Sequence, residues 1–204
     1  MGYTLLLVVL VAYLPGTILL RFSPAVRQAS AVLTAEERLF WAVAISVSLS
    51  SVAALVLAAC GTYDIDYLAF INGTITLALT LASRGHLQLP EASRPNRTAV
   101  APLILLGLAL VTFFYVPPAE YIIGGRDPGV YVNEGIQITQ RNSLVIEDPV
   151  VRSVPPEYRH LFFPPRTNQR EQGYNSVRFM GFFIMNPSTG QVVGQFPHLY
   201  PVWI

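Results

Sequence analysis

Long apolar runs separated by short polar connectors fill the first 116 residues, and a polar sequence punctuated by Pro and Gly follows. The runs at 3–20, 39–60, 67–83 and 99–116 contain no charged residue. Each falls within the roughly 17–25 residues that a spanning helix needs, so the pattern predicts four membrane spans. The first run has no basic leader and no small-residue cleavage pattern, which predicts a retained span rather than a removed signal. Pro15-Gly16 predicts a kink in it, Gly61 ends the second, and Pro102 is tolerated in the first turn of the fourth.

Small residues in the second span, Ser46, Ser48, Ser50 and Ser51 with Ala53, Ala54, Ala58 and Ala59, predict close approach of neighbouring helices. Asn72, inside the third span, is expected to make an interhelical hydrogen bond. Cys60 is the single cysteine, so no disulfide can form within the chain, and it is expected to be a small buried hydrophobe. Arg21, Arg27 and Arg38 lie in the first connector and Arg84, Arg94 and Arg97 in the third, whereas the second carries Asp64 and Asp66 and no base. The positive-inside rule puts the Arg connectors in the cytoplasm, and the amino terminus and everything after residue 116 outside.

Beyond the fourth run, Gly124-Gly125-Arg126-Asp127-Pro128-Gly129 predicts a helix start at the membrane surface, with Asp127 as N-cap and Pro128 in the first helical position. A helix over 128–141 has no single clean apolar stripe among Val130, Tyr131, Glu134, Ile136 and Ile138. Residues 143–146 favour a strand and 151–172 an irregular loop. Residues 176–196 predict a hairpin turning at 187–190, bulged at Gly181 and folded over the 128–141 helix. Val202-Trp203-Ile204 is read as the first turn of a fifth span in a chain that continues.

Composition agrees with a membrane protein. The chain is 52% hydrophobic and 12% charged, against roughly 25% charged in soluble domains. Its mean hydropathy is +0.47. All thirteen basic residues are Arg, and the formal charge of +1 singles out no partner class. No nucleic-acid partner is expected.

The candidate chemistry gathers outside the membrane. Asp127 follows the last span, Arg126 precedes it, and Pro197-His198-Leu199-Tyr200-Pro201 leads back to the apolar end. A carboxylate can act as base and Arg as phosphate clamp in transfer from a phospholipid-type donor. The Gly-Arg-Asp turn, the helix carrying Tyr131, the segment 143–149 and the Pro-His-Leu-Tyr-Pro element together resemble the first outer loop of GT-C membrane glycosyltransferases. The nearest in kind are bacterial proteins similar to dolichyl-phosphate-mannose protein mannosyltransferases and lipid A aminoarabinose transferases. The resemblance covers residues 99–204, about half of the chain.

The resemblance implies an all-α membrane protein, a polytopic transmembrane helical bundle with an extracytoplasmic α+β loop region, in a bacterial inner or plasma membrane. It divides the chain into a three-span module at 1–97 and the start of a transferase core at 98–204. The implied activity moves a sugar from a polyprenyl-phosphate donor to a lipid or polymer acceptor. Asp127 matches the catalytic acid, with Glu134 as a candidate second acid. Arg126, Tyr131, Arg152, Arg159, His198 and Tyr200 are candidate substrate contacts. Many members have Asp-Glu where this chain has Asp127-Pro128, so the second acid, and whether a divalent metal ion takes part, stay open. The competing reading is a non-catalytic membrane protein whose outer loop binds lipid or a partner subunit. Transport is weaker, because no charge lies within a span.

Overall fold

Pro15 determines how the first span is built. The computed structural model describes residues 2–83, 87, 106–107, 109–111, 113, 127–163, 178–179 and 181–203. In it the first apolar run is two helices, α1 (Gly2–Ala12) and α2 (Leu14–Phe22), interrupted at Tyr13. Pro15 has no N–H, so the carbonyl of Val11 loses its helical donor. The Ser50 hydroxyl donates to that carbonyl at 2.7 Å. The Gly16 N–H donates to Ser46 Oγ at 2.8 Å. Both serines belong to α4 (Ala35–Ala59), one turn apart, so a neighbouring helix supplies what the break removes. Gly16 is required for this approach, because a Cβ there would overlap the Ala42 carbonyl and stand 2.9 Å from Ser46 Oγ. The kink and the packing serines of the sequence reading are one device.

Ser50 Oγ also lies 3.0 Å from the Asn72 side-chain amide of α5 (Ile65–Ala82). The Ser50 hydroxyl is thus shared between two acceptors, the Val11 carbonyl and Asn72 Oδ1. Asn72 is 1% exposed, and its interhelical bond is as expected. Ser48 instead faces outward and bonds its own helix at the Ala44 carbonyl. A short helix, α3 (Pro24–Ala31), is capped by the Ser23 side chain. The start of α4 is a reciprocal capping box: the Thr34 N–H donates to Glu37 Oε2 at 2.8 Å, and the Glu37 N–H to Thr34 Oγ1 at 3.3 Å. Its end is closed by Gly61 at φ 70°, with Gly61 N–H to the Ala58 carbonyl and Thr62 N–H to the Leu57 carbonyl. Cys60, just past the last turn, is exposed, correcting the expectation of a buried residue.

Three helical stretches, Gly2–Phe22, Ala35–Ala59 and Ile65–Ala82, are long and apolar enough to cross a membrane. Exposed Leu5, Leu6, Val8, Phe40, Val52, Val56, Phe70, Leu77 and Leu81 give them apolar outer faces suited to lipid. The fourth expected span, 99–116, lies largely outside the described residues, of which 106–107, 109–111 and 113 are helical.

Contacts divide the chain into two compact units, Met1–Ser50 with Ala69–Glu120, and Ser51–Leu68 with Tyr121–Ile204. This division is spatial and differs in kind from a sequential one at residue 97. The second unit contains α6 (Asp127–Arg141), β1 (Val145–Glu147), α7 (Pro149–Ser153), α8 (Arg159–Phe162), β2 (Arg178–Phe179), β3 (Phe182–Asn186) and β4 (Gln191–Gly194). The strands form one antiparallel sheet in the order β1-β4-β3-β2. The β3–β4 hairpin turns at 187–190 as expected, with Gly190 at φ 77° and Asn186 Oδ1 accepting from the Ser188 N–H.

The expected bulge at Gly181 is instead a reversal. Gly181, at φ 86°, joins β2 to β3, with Phe179 opposite Phe182, and the irregular register falls between Ile184 and Asn186. The irregular loop expected from 151 begins as short helices: Asp148 caps α7 by accepting from the N–H groups of Val150 and Val151, with Pro149 in the first turn, and α8 follows. Residues 164–177 lie outside the described residues. Val151, Phe163, Ile184 and Val192 form the core under the sheet, with Ile146, Val154 and Phe182 packed against them.

Within this unit, the turn after α4 is bonded to the polar region. The Leu144 N–H donates to the Ala58 carbonyl at 3.0 Å, and the Tyr63 N–H to the Asn142 carbonyl at 2.9 Å. The Tyr63 hydroxyl donates to the Val202 carbonyl at 2.8 Å, and Trp203 Nε1 to Ser51 Oγ at 3.1 Å. Residues Pro201–Trp203 form a 3-10 turn with Pro201 and Val202 buried.

Candidate functional site

Helix α6 begins at Asp127, as its Asp-Pro start predicts, and its buried face is the row Val130, Glu134, Ile138 at four-residue spacing. Two glycines of the sheet region make room for this row. A Cβ at Gly181 would overlap Val130, and one at Gly194 would overlap the Glu134 carboxylate. Glu134 is thus the polar member of a stripe otherwise composed of apolar side chains, which is why apolar periodicity alone showed no clean face.

The Glu134 carboxylate is 1% exposed and makes contact through Oε1 with Nδ1 of His198, whose side chain is 29% exposed. An isolated buried carboxylate is strongly disfavoured, so this pair compensates the site. The contact requires one proton between the two atoms. In either form of the pair, the bond at Nδ1 orients the ring and leaves Nε2 as the nitrogen available to a ligand. Glu134 Oε2 is buried with no hydrogen-bond partner.

After Gly194 the chain runs back along α6. The Tyr131 ring meets Phe196 at 5.1 Å between centroids and Tyr200 edge-on at 5.5 Å. The structure therefore brings together four of the candidate residues, Tyr131, Glu134, His198 and Tyr200. Phe196, which completes the aromatic row, and Gly194, which makes the space, had no sequence signal beyond their neighbours in the strand pattern.

The remaining candidates are elsewhere. Asp127 is exposed, with no hydrogen bond or ion pair among the described residues. It lies seven residues before Glu134, about 10 Å along the axis at the helical rise, too far for the two carboxylates to act on one atom. Arg152 makes an exposed ion pair with Glu147 at 3.7 Å, and Arg159 Nε donates to the Val154 carbonyl at 3.2 Å. Neither Arg bonds to Glu134 or His198. Arg126 lies outside the described residues. Among the described residues, no three His, Cys, Asp or Glu side chains gather as a metal site.

A cavity of about 310 Å³ in the same unit is lined by Tyr63, Asp64, Ile65, Thr139, Asn142, Val202 and Trp203, none of them a candidate. Burial holds the Tyr63 phenol above its ordinary pKa of 10.0, with the Asp64 charge adding to the effect. It therefore remains a neutral donor to Val202.

No family model, no curated protein and no solved structure matches the chain.

Proposed function

We propose that the protein is an integral-membrane glycosyltransferase of the GT-C kind, moving a sugar from a polyprenyl-phosphate donor to a lipid or polymer hydroxyl outside the cytoplasm. The observation that carries this reading is Asp127, an exposed carboxylate with no partner among the described residues, at the first turn of a helix whose buried face is fixed by Glu134 and His198. In the transfer, the acceptor oxygen attacks the anomeric carbon while Asp127 takes its proton. The bond from that carbon to the phosphate oxygen breaks, and the phosphate leaves with the electron pair. His198, presenting Nε2, lies on the donor-phosphate side, with Tyr131 and Tyr200 as the apolar wall. Buried Glu134 does not reach a substrate; it positions His198.

The bonds that join Ala58 and Tyr63 to residues 142–144 support the expected topology, in which the α4–α5 turn and the polar region share one side of the membrane. With α5 as a crossing, the expected topology needs one more before Asp127, and the uncharged run 99–116 is suited to it. The Arg-bearing connectors assign the opposite side to the cytoplasm.

The test is Asp127→Asn in the full-length protein, assayed with a polyprenyl-phosphate sugar in detergent. Asn caps a helix about as well as Asp but is no base. A lost general base costs on the order of 10²- to 10⁴-fold in rate. Transfer at the wild-type rate would leave Asp127 without a chemical role and favour a binding protein, for which the Glu134–His198 pair needs no substrate.

A further inference from the structure

A cavity of about 210 Å³ lies between α2 and the start of α4, with Tyr13, Thr17, Leu20, Arg21, Arg38 and Leu39 among its lining residues. Three features of this cavity are unusual for a gap between apolar helices. Thr17 is 7% exposed, yet its hydroxyl has no hydrogen-bond partner. A hydroxyl buried and unsatisfied among the described residues is costly enough to favour a bound partner. Arg21, one turn further along α2, has neither a hydrogen bond nor an ion pair among the described residues. Arg38 reaches the cavity from α4, with its guanidinium oriented by Nε donating to the Ser30 carbonyl at 3.0 Å.

Two guanidinium groups and a buried hydroxyl in one cavity are the donor set for a phosphate oxygen cluster. Of the neighbouring carboxylates, Glu37 is occupied by the Thr34 capping box and Glu36 is exposed, and neither pairs with Arg21. The volume equals about seven liquid-water volumes, room for a phosphodiester but not for a lipid's chains. Both Arg residues flank spanning stretches, at the depth where headgroups lie, and Leu20 and Leu39 continue the lining towards the apolar surface.

The geometry points to a binding site for the phosphodiester of an anionic phospholipid at the Thr17–Arg21–Arg38 cavity. It is separate from the Asp127 region and does not depend on the transferase reading. The site takes the headgroup phosphate between Arg21 and Arg38, with Thr17 Oγ donating to one of its oxygens, while the acyl chains stay in the bilayer. Bound lipid fills the space between α2 and the start of α4.

The experiment is native mass spectrometry of the full-length protein, released from vesicles of phosphatidylcholine with one fifth phosphatidylglycerol of the same chains, followed by titration with short-chain phosphatidylglycerol in detergent. The wild type is expected to retain phosphatidylglycerol in preference to phosphatidylcholine. Arg21→Gln should weaken it on the order of tenfold to a hundredfold, the loss of one charge-assisted contact. Thr17→Val keeps the shape and should also weaken the lipid while raising Tm in lipid-free detergent, because it removes an orphaned hydroxyl. That opposite pair of shifts is not expected of a residue that only packs, and it decides the matter if Arg21→Gln fails to fold. Equal retention of the two lipids, or undiminished phosphatidylglycerol binding by Thr17→Val, would overturn the site. Displacement of the lipid by millimolar inorganic phosphate would show that the cavity takes free phosphate, and would overturn the lipid assignment.

Discussion

Gly194 of β4 lies against the carboxylate of Glu134, so closely that a Cβ on residue 194 would occupy the same space. Gly194 does not have a positive φ, so the glycine is required by space alone. Gly194→Ala is therefore expected to lower stability by about 1–3 kcal/mol, the usual cost of overpacking a closed site. Glu134→Ala in the same chain should recover most of that loss, whereas Glu134→Gln, with a side chain of the same size, should not. Thermal unfolding of the four proteins in one detergent measures the coupling. Additive effects of the two alanine changes would mean that the residues are not in contact.

Tyr63 contributes an interaction with a defined pH window. Its phenol donates to the Val202 carbonyl, and burial, with help from Asp64, raises its pKa above 10.0. The folded state therefore favours the protonated form more than the unfolded chain does. The stabilisation is fully present below about pH 10, the ordinary tyrosine value, and is lost as pH rises through the higher folded value. Tyr63→Phe should lower stability at pH 8 by roughly 0.5–1.5 kcal/mol, one neutral hydrogen bond. It should also flatten the decline above pH 10. An unchanged alkaline limb in the variant would show that Tyr63 does not titrate with unfolding.

In the first unit the corresponding close approach is at Gly16. The atom that a Cβ would strike is the backbone carbonyl of Ala42, which cannot rotate away. Gly16→Ala should separate α2 from α4, weaken the Gly16–Ser46 and Val11–Ser50 bonds together, and lower the unfolding midpoint more than Gly73→Ala, where a Cβ would meet only Leu10 Cδ2 at 3.7 Å. Equal midpoints for the two variants would remove the close approach as the reason for a glycine at 16.

Much of this architecture was legible because it is encoded locally. Uncharged runs gave the three spanning stretches, Gly61 the end of α4, Asp127-Pro128 the start of α6, and Asn186 to Gly190 the hairpin turn. Asp148-Pro149 is the same dipeptide signal, and it starts α7 where a loop was expected, because the prolines downstream at 155 and 156 dominated the reading. What stayed hidden is non-local. Glu134 is buried only because Gly194, sixty residues on, leaves space for it and His198 pairs with it. Gly181 fits a bulge or a reversal equally well until β2 has a partner. Arg152 and Arg159 were candidates by charge, but local contacts with Glu147 and Val154 hold them.

Glu134 and Asp127 carry the same functional group on one helix, yet their environments assign them different work. On the proposed reading, exposed Asp127 meets the acceptor, while Glu134, 1% exposed, acts only through His198. With the carboxylate beside Nδ1, the ring is held on one side and presents Nε2 towards the donor phosphate on the other. Glu134→Gln keeps the shape beside Gly194 but removes the carboxylate that pairs with Nδ1. The loss of a charge-assisted contact should raise KM for the polyprenyl-phosphate donor on the order of tenfold, with kcat close to wild type. Asp127→Asn should do the reverse, lowering kcat by about 10²-fold or more with little change in KM. A fall in kcat alone for Glu134→Gln would give His198 a proton-transfer role and sink the positioning assignment. Unchanged kcat and KM would make the Glu134–His198 pair a brace between α6 and the segment that follows the sheet.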